Sequence, residues 1–303
     1  MKILALFVAV NTNAWIAPQK ASEGQGSVSF QLFYDELSPY GTWVDYQTYG
    51  YVWMPKGDSG FRPYATAGRW VLTDDGWTWD SDYPWGWATF HYGRWDYDNV
   101  YGWLWVPGNE WGPAWVSWRR SPGYYGWAPL SPGGKPHERN ERWIFVRDRD
   151  FTRSDIDRHY VDLTNNAAII KHSTVIANTQ RDNKRRVTYL SGPNRDDVQR
   201  ATRTTIRSVI IRETDQPGRP LNNGELQMYR PQLQKNNGNR QNSAPSKVMK
   251  LSDVRTASEK NAEDRTREVH AAGNYRNAQP GQPNTSQDHR AQKEHQESKK
   301  RGR

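Results

Sequence analysis

From Gly41 to Leu130 polar and apolar positions alternate with a period of two, and aromatic residues, above all Trp, fill the apolar ones. In a strand, residues i and i+2 share a face, and Trp, Tyr, Val and Thr are strand formers. The alternation resolves into three units. The first runs Gly41-Thr42-Trp43, then Gly50-Tyr51-Val52-Trp53. The second runs Gly68-Arg69-Trp70, then Gly76-Trp77-Thr78-Trp79. The third runs Gly93-Arg94-Trp95, then Gly102-Trp103-Leu104-Trp105. The opening glycines stand 27 and 25 residues apart, and the two anchor Trp of each unit 10, 9 and 10 apart. Tyr51 with Trp53, Trp77 with Trp79, and Trp103 with Trp105 then share faces, opposite Val52, Thr78 and Leu104. Asp74-Asp75-Gly76 and Asn99-Val100-Tyr101-Gly102 are turn material between the paired strands. Gly41, Gly68 and Gly93 mark a bulge or the approach of a neighbouring ring. The pattern predicts a mainly β domain, an antiparallel meander of seven to nine strands over residues 22–145, barrel-like or two-layered. Helical periodicity is absent from this reading.

The flanks follow other rules. Met1-Lys2, the apolar run Ile3–Val10 and the small residues up to Ala14, Ala17 or Ala21 have the layout of a secretory signal peptide over residues 1–21. That run is too short to span a bilayer, and no later stretch is long enough for a transmembrane helix. Residues 146–216 read as a small mixed α/β accessory segment. Arg142–Val146 reads as one more strand completing the β domain; in the accessory segment Ala167–Ala177 gives a strand or two, Gly192–Ala201 a turn and short helix, and Ile206–Ile211 another strand. No site is legible there. From Pro217 to Arg303 the chain is polar and rich in Asn, Gln, Lys and Arg, a composition that predicts a disordered tail, with a charged helix over Leu251–His270.

Composition sharpens this division. The 303 residues hold 16 Trp, 14 of them between Trp43 and Trp127, and no Cys. Disulfides, thiolate nucleophiles, Cys-ligated metals and a cysteine-borne lipid anchor are excluded. The net charge of +9 divides into +2 for residues 1–21, −6 for 22–130 and +13 for the remainder. An acidic, aromatic region is thus followed by a basic one. A basic tail suits an anionic surface; in an exported protein, nucleic acid is not the expected partner.

So much Trp has two uses. A repeat poor in Leu and Ile must fill its interior with something. Yet fourteen indoles in 85 residues are hard to bury completely, and exposed contiguous aromatics mark interaction sites. Trp77, Trp79, Trp85, Trp87, Trp103, Trp105, Trp111 and Trp115, with the interleaved carboxylates of Asp80, Asp82, Asp96 and Asp98, form a candidate glycan-binding set. Gly41, Trp43, Trp53, Gly68, Trp70, Gly93 and Trp95 read as the structural frame. Paired carboxylates at Asp80/Asp82 or Asp96/Asp98 also approach the arrangement of a polysaccharide hydrolase. The seven His are scattered without metal-ligand spacing, and no nucleophile elbow or phosphate-binding loop occurs. His91 reads as a packing or strand-capping residue, and no cofactor or metal is expected.

His91-Tyr92-Gly93-Arg94-Trp95, Gly102-Trp103-Leu104-Trp105-Val106-Pro107-Gly108, Trp111-Gly112-Pro113-Ala114-Trp115 and Gly126-Trp127-Ala128-Pro129-Leu130 occur in that order. Together they resemble a Trp/Tyr/Gly-rich domain of unknown function associated with exported bacterial proteins, over Tyr34 to Leu130. The resemblance implies export and a β-rich domain but no activity. The expectation is a non-catalytic binding or scaffolding protein of the cell envelope, periplasmic or at the surface. Its partners would be envelope glycan, peptidoglycan or another envelope protein. The alternatives are a carbohydrate- or peptidoglycan-binding module and a hydrolase with paired Asp.

Overall fold

The computed structural model describes residues 28–57, 60–217, 224–234, 243–257 and 259. The expected signal peptide lies outside them. The described residues divide into two compact units. The first comprises 28–56 and 60–254 and contains every element named below. In the second, Thr256 and Glu259 form a capping box: the Thr256 amide donates to the Glu259 carboxylate (2.7 Å) and the Glu259 amide to the Thr256 hydroxyl (3.2 Å). This lies within the charged helix expected over Leu251–His270, most of which is outside the described residues.

Helix α1 (Gln31–Leu37) precedes the repeats. Its buried face, Phe33, Tyr34 and Leu37, continues back to Phe30 at spacings of three and four, so a helical period does exist here. Each repeat unit is one antiparallel hairpin: β1 (Gly41–Tyr46) with β2 (Gly50–Pro55), β3 (Gly68–Thr73) with β4 (Gly76–Ser81), and β5 (Arg94–Asp98) with β6 (Gly102–Val106). Helix α2 (Gly86–Thr89) separates the second and third. The two anchor Trp of a unit face one another across its ladder: Trp43 with Trp53, Trp70 with Trp79, Trp95 with Trp105.

A fourth hairpin follows the same plan, β7 (Val116–Ser121) with β8 (Tyr124–Pro129), pairing Trp118 with Trp127. The sequence pattern hides it because no Gly-x-Trp opens the first strand.

The repeats do not form a continuous meander or a barrel. The hairpins β1–β2 and β5–β6 join through a single register pair, Trp53 opposite Trp105. The fourth hairpin is flanked by β9 (Ile144–Arg147), as expected, and β10 (Thr174–Ile176), giving the order β10-β7-β8-β9. Ahead of β10, residues expected as strand form α3 (Asn166–Lys171), whose fully buried Asn166 amide donates to the Asn140 and Trp143 carbonyls.

Next come the hairpin β11 (Thr179–Asp182) with β12 (Val187–Leu190) and the helix α4 (Arg195–Thr202), started by Asn194 accepting from the Asp196 amide. Strand β13 (Ile210–Thr214) begins later than the sequence suggests and pairs in parallel with β14 (Glu225–Tyr229). Finally β15 (Val248–Met249) lies parallel to β1, completing the order β15-β1-β2-β6-β5.

Disorder from residue 217 therefore does not hold for 224–234. Leu226, Met228, Leu233 and even Arg230 are buried there. Leu226 and Met228, two residues apart on one face of the strand, and Leu233 beyond it give this short segment enough burial to order it, which an average over the polar tail conceals. Residues from 260 onward are outside the described residues. Among the described residues no helix is long and apolar enough to cross a membrane.

Candidate functional site

The opening glycine of each unit exists for the second anchor Trp of that unit. A Cβ on Gly41 would overlap the Trp53 indole, one on Gly68 would stand 2.8 Å from the Trp79 ring, and one on Gly93 2.8 Å from Trp105 Nε1. With the ring lying across the glycine, the Trp53 N–H reaches the Leu37 carbonyl (3.0 Å) and the Trp105 N–H the Tyr92 carbonyl (2.8 Å). Rings then tile the interior: Phe33 meets Trp105 edge-on at 5.1 Å, Trp70 meets Trp118 at 4.5 Å and Trp77 meets Phe151 at 4.7 Å. Of the residues read as the structural frame, Gly41, Gly68 and Gly93 lie against the second ring of their units, and Trp43, Trp53, Trp70 and Trp95 are buried.

The proposed glycan-binding indoles belong to the same interior. Trp77, Trp79, Trp85, Trp103, Trp105, Trp111 and Trp115 are all buried, and only Trp87 of that set is partly open. A stacking platform needs an accessible ring face; here the rings face one another, because four hairpins and the later segments close around them. Among the described residues these indoles form no contiguous exposed row.

Three of the four candidate carboxylates have structural partners. Asp80, almost fully buried, receives the Arg69 guanidinium at 2.8 Å across the β3–β4 ladder. Asp82 is exposed. Both lie beside a cavity of 210 Å³ that is also lined by Trp79, Trp87 and His91. On another strand, Asp96 and Asp98 accept the Tyr49 and Tyr46 hydroxyls at 2.9 and 2.8 Å. Burial, with the carboxylates beside them, pushes both phenols up to about 12. Burial acts to raise the Asp98 pKa, but hydrogen bonds from the Tyr101 amide, the Tyr46 hydroxyl and the Val100 amide outweigh it and hold the pKa below its usual value. A general acid needs the opposite direction. Among the described residues, no three His, Asp or Glu gather as a metal site.

His91 is buried, and burial pushes its pKa down to about 4, with a further contribution from Arg230. Its Nδ1 lies 3.0 Å from the Gly112 carbonyl, which only accepts, so the neutral ring donates from Nδ1. The ring stacks on Trp111 (centroids 5.7 Å, 12°), and the Arg230 guanidinium lies 3.7 Å from the centre of the same indole. Asp75 answers the Arg230 charge at 3.2 Å. Strand β14 thus ends by inserting a cation among the repeat aromatics.

Beside this stack opens a cleft of 440 Å³. The β11–β12 turn forms its basic wall. Asp182 accepts from the Lys184 and Arg185 amides (2.9 and 3.0 Å), and Arg186 closes the turn in the left-handed region at φ 55°. Lys184, Arg185 and Arg186 therefore all line the cleft, opposite Tyr92, Glu110 and Trp111. Arg185 is held by Asp182 (2.9 Å) and Glu213 (2.8 Å). Among the described residues Lys184 and Arg186 make no ion pair. Sequence reasoning found no site in this segment; the available signal was three consecutive cations in a turn closed by Asp182.

Residues 34–134 match the model of a family described as a family of unknown function, DUF6600. The match coincides with the resemblance seen from Tyr34 to Leu130. No curated protein and no solved structure matches the chain.

Proposed function

We propose that this is an exported, non-catalytic binding or scaffolding protein of the cell envelope. The observation that carries the reading is the division of labour between interior and rim. Indoles fill an interlocked core that holds its strands rigidly, and charged turns project from it around a polar cleft. Of the carboxylates suggested by sequence, Asp80, Asp98 and Asp96 bond to Arg69, Tyr46 and Tyr49, contacts that tie strands together. Export rests on the leader-like residues 1–21. The basic composition of the later chain suits contact with an anionic envelope surface.

Two measurements test this. Fractionation of cells expressing the full chain, with N-terminal sequencing, should recover protein outside the cytoplasm that starts just after Ala14, Ala17 or Ala21. Purified protein should co-sediment with isolated sacculi in a salt-sensitive way; cytoplasmic retention of the intact chain, or no co-sedimentation at low salt, refutes the reading. The narrower carbohydrate-module reading draws on the partly open Trp87 beside the 210 Å³ cavity. It requires Trp87→Ala to reduce binding to neutral glycan fragments.

A further inference from the structure

The 440 Å³ cleft combines three features. Its β11–β12 wall carries two cations, Lys184 and Arg186, without ion-pair partners among the described residues. Trp111, only 2% exposed, also lines the cleft, and among the described residues its indole N–H has no acceptor. A buried donor without a partner is costly and rare. Of the five indole N–H groups in that condition, Trp111 alone lines this cleft. The third feature is Glu110, an exposed carboxylate that lies 3.8 Å from the Arg94 guanidinium and lines the cleft with Asn109 and Gln232. A site for a bare anion gains nothing from a carboxylate at its edge. A site for an anion that also carries hydroxyl groups does, because the carboxylate accepts them while the cations take the charge.

We propose that this cleft binds an acidic sugar unit, its carboxylate or phosphate held by Lys184 and Arg186 and its hydroxyls by Glu110. The volume lies within the range of small-ligand sites. The left-handed backbone at Arg186 fits this role, since strained conformations concentrate where a side chain must be aimed. The proposal rests on the binding reading above and names its ligand class. It does not depend on export.

Isothermal titration of the full chain with glucuronic acid, glucose 6-phosphate and glucose tests it. At least one charged sugar should bind about tenfold more tightly than glucose, and the two charged arms distinguish a carboxylate from a phosphate site. The double variant Lys184→Glu, Arg186→Glu should lose about tenfold or more of that affinity. Both side chains are exposed on a turn, so the near-ultraviolet circular dichroism should not change. Glucose binding as tightly as both acidic sugars overturns the proposal. So does an unchanged affinity in the double variant, or no heat from either acidic sugar at about 10 mM. If the chain still co-sediments with sacculi in any of these cases, the cleft assignment fails and the broader binding reading survives.

Discussion

The Trp hairpins and the β11–β12 hairpin share a backbone plan and put it to opposite uses. In the hairpins of the three units, a short turn ends at Gly50, Gly76 or Gly102, each with positive φ, and the anchor side chains point inward to meet across the ladder. In β11–β12 the turn is four residues long, its left-handed position is Arg186, and its side chains face a cleft. The first kind fixes a frame; the second uses the frame to hold charges in place.

The largest effect on that comparison should come from removing an anchor. Trp105→Ala deletes a fully buried ring and its bond to the Tyr92 carbonyl, at a cost of about 3–5 kcal/mol. Urea denaturation should show a domain close to unfolding, whereas Lys184→Ala should leave the midpoint where it was.

Acid comes next. The His91 pKa falls from 6.5 unfolded to about 4 folded, so the neutral ring's contribution is complete above pH 6.5 and is lost as pH falls from there toward 4. That displacement corresponds to about 3 kcal/mol. His91→Gln should flatten the dependence of unfolding free energy on pH in that window; an unaltered slope would assign the acid sensitivity to other groups.

Smaller again is Gly68→Ala. Its Cβ would meet the Asp80 carbonyl at 2.6 Å and the Trp79 ring at 2.8 Å, an overpacking worth about 1–3 kcal/mol. A thermal melt matching the parent would mean that the ring moves aside freely.

Smallest, and opposite in sign, is Arg186→Gly. Relieving the left-handed residue should stabilise the fold by about 0.5–1 kcal/mol while removing one cation from the cleft. A fall in melting temperature would show that Arg186 packs rather than projects.

The four hairpins differ in how openly they were written in the chain. Three could be read from Gly-x-Trp spacing because a close-packed indole demands a glycine opposite, and that demand repeats. The fourth kept its 9-residue Trp118–Trp127 step but lost the opening glycine; Gly126 instead makes room for Phe145, outside the unit. Helix α1 had a readable signature in Phe30, Phe33, Tyr34 and Leu37, overlooked beside the stronger two-residue alternation. How the hairpins assemble was not readable, because β2 and β6 share a single register pair, Trp53 opposite Trp105, with no local code. The cleft was least readable of all. Its walls come from segments around 92, 110, 185 and 232, and only the fold makes them neighbours. The acidic residues misled because a carboxylate beside a Trp looks alike in sequence whether it serves a ligand, an Arg or a Tyr.

One contact carries a consequence for the order of events during synthesis. Val28 donates to the Gln232 carbonyl at 2.7 Å and accepts from the Gln234 amide at 2.9 Å, and Arg230 seats against Trp111 from the same segment. A chain emerging N-terminus first has all four Trp hairpins in hand long before these partners arrive. Contacts of such long sequence separation close late and slowly. The interior therefore waits, its aromatic edge uncovered, until about residue 234 has cleared the exit. Over that interval the indoles are the chain's most adhesive surface, and a chaperone that covers them briefly would set the yield of folded protein.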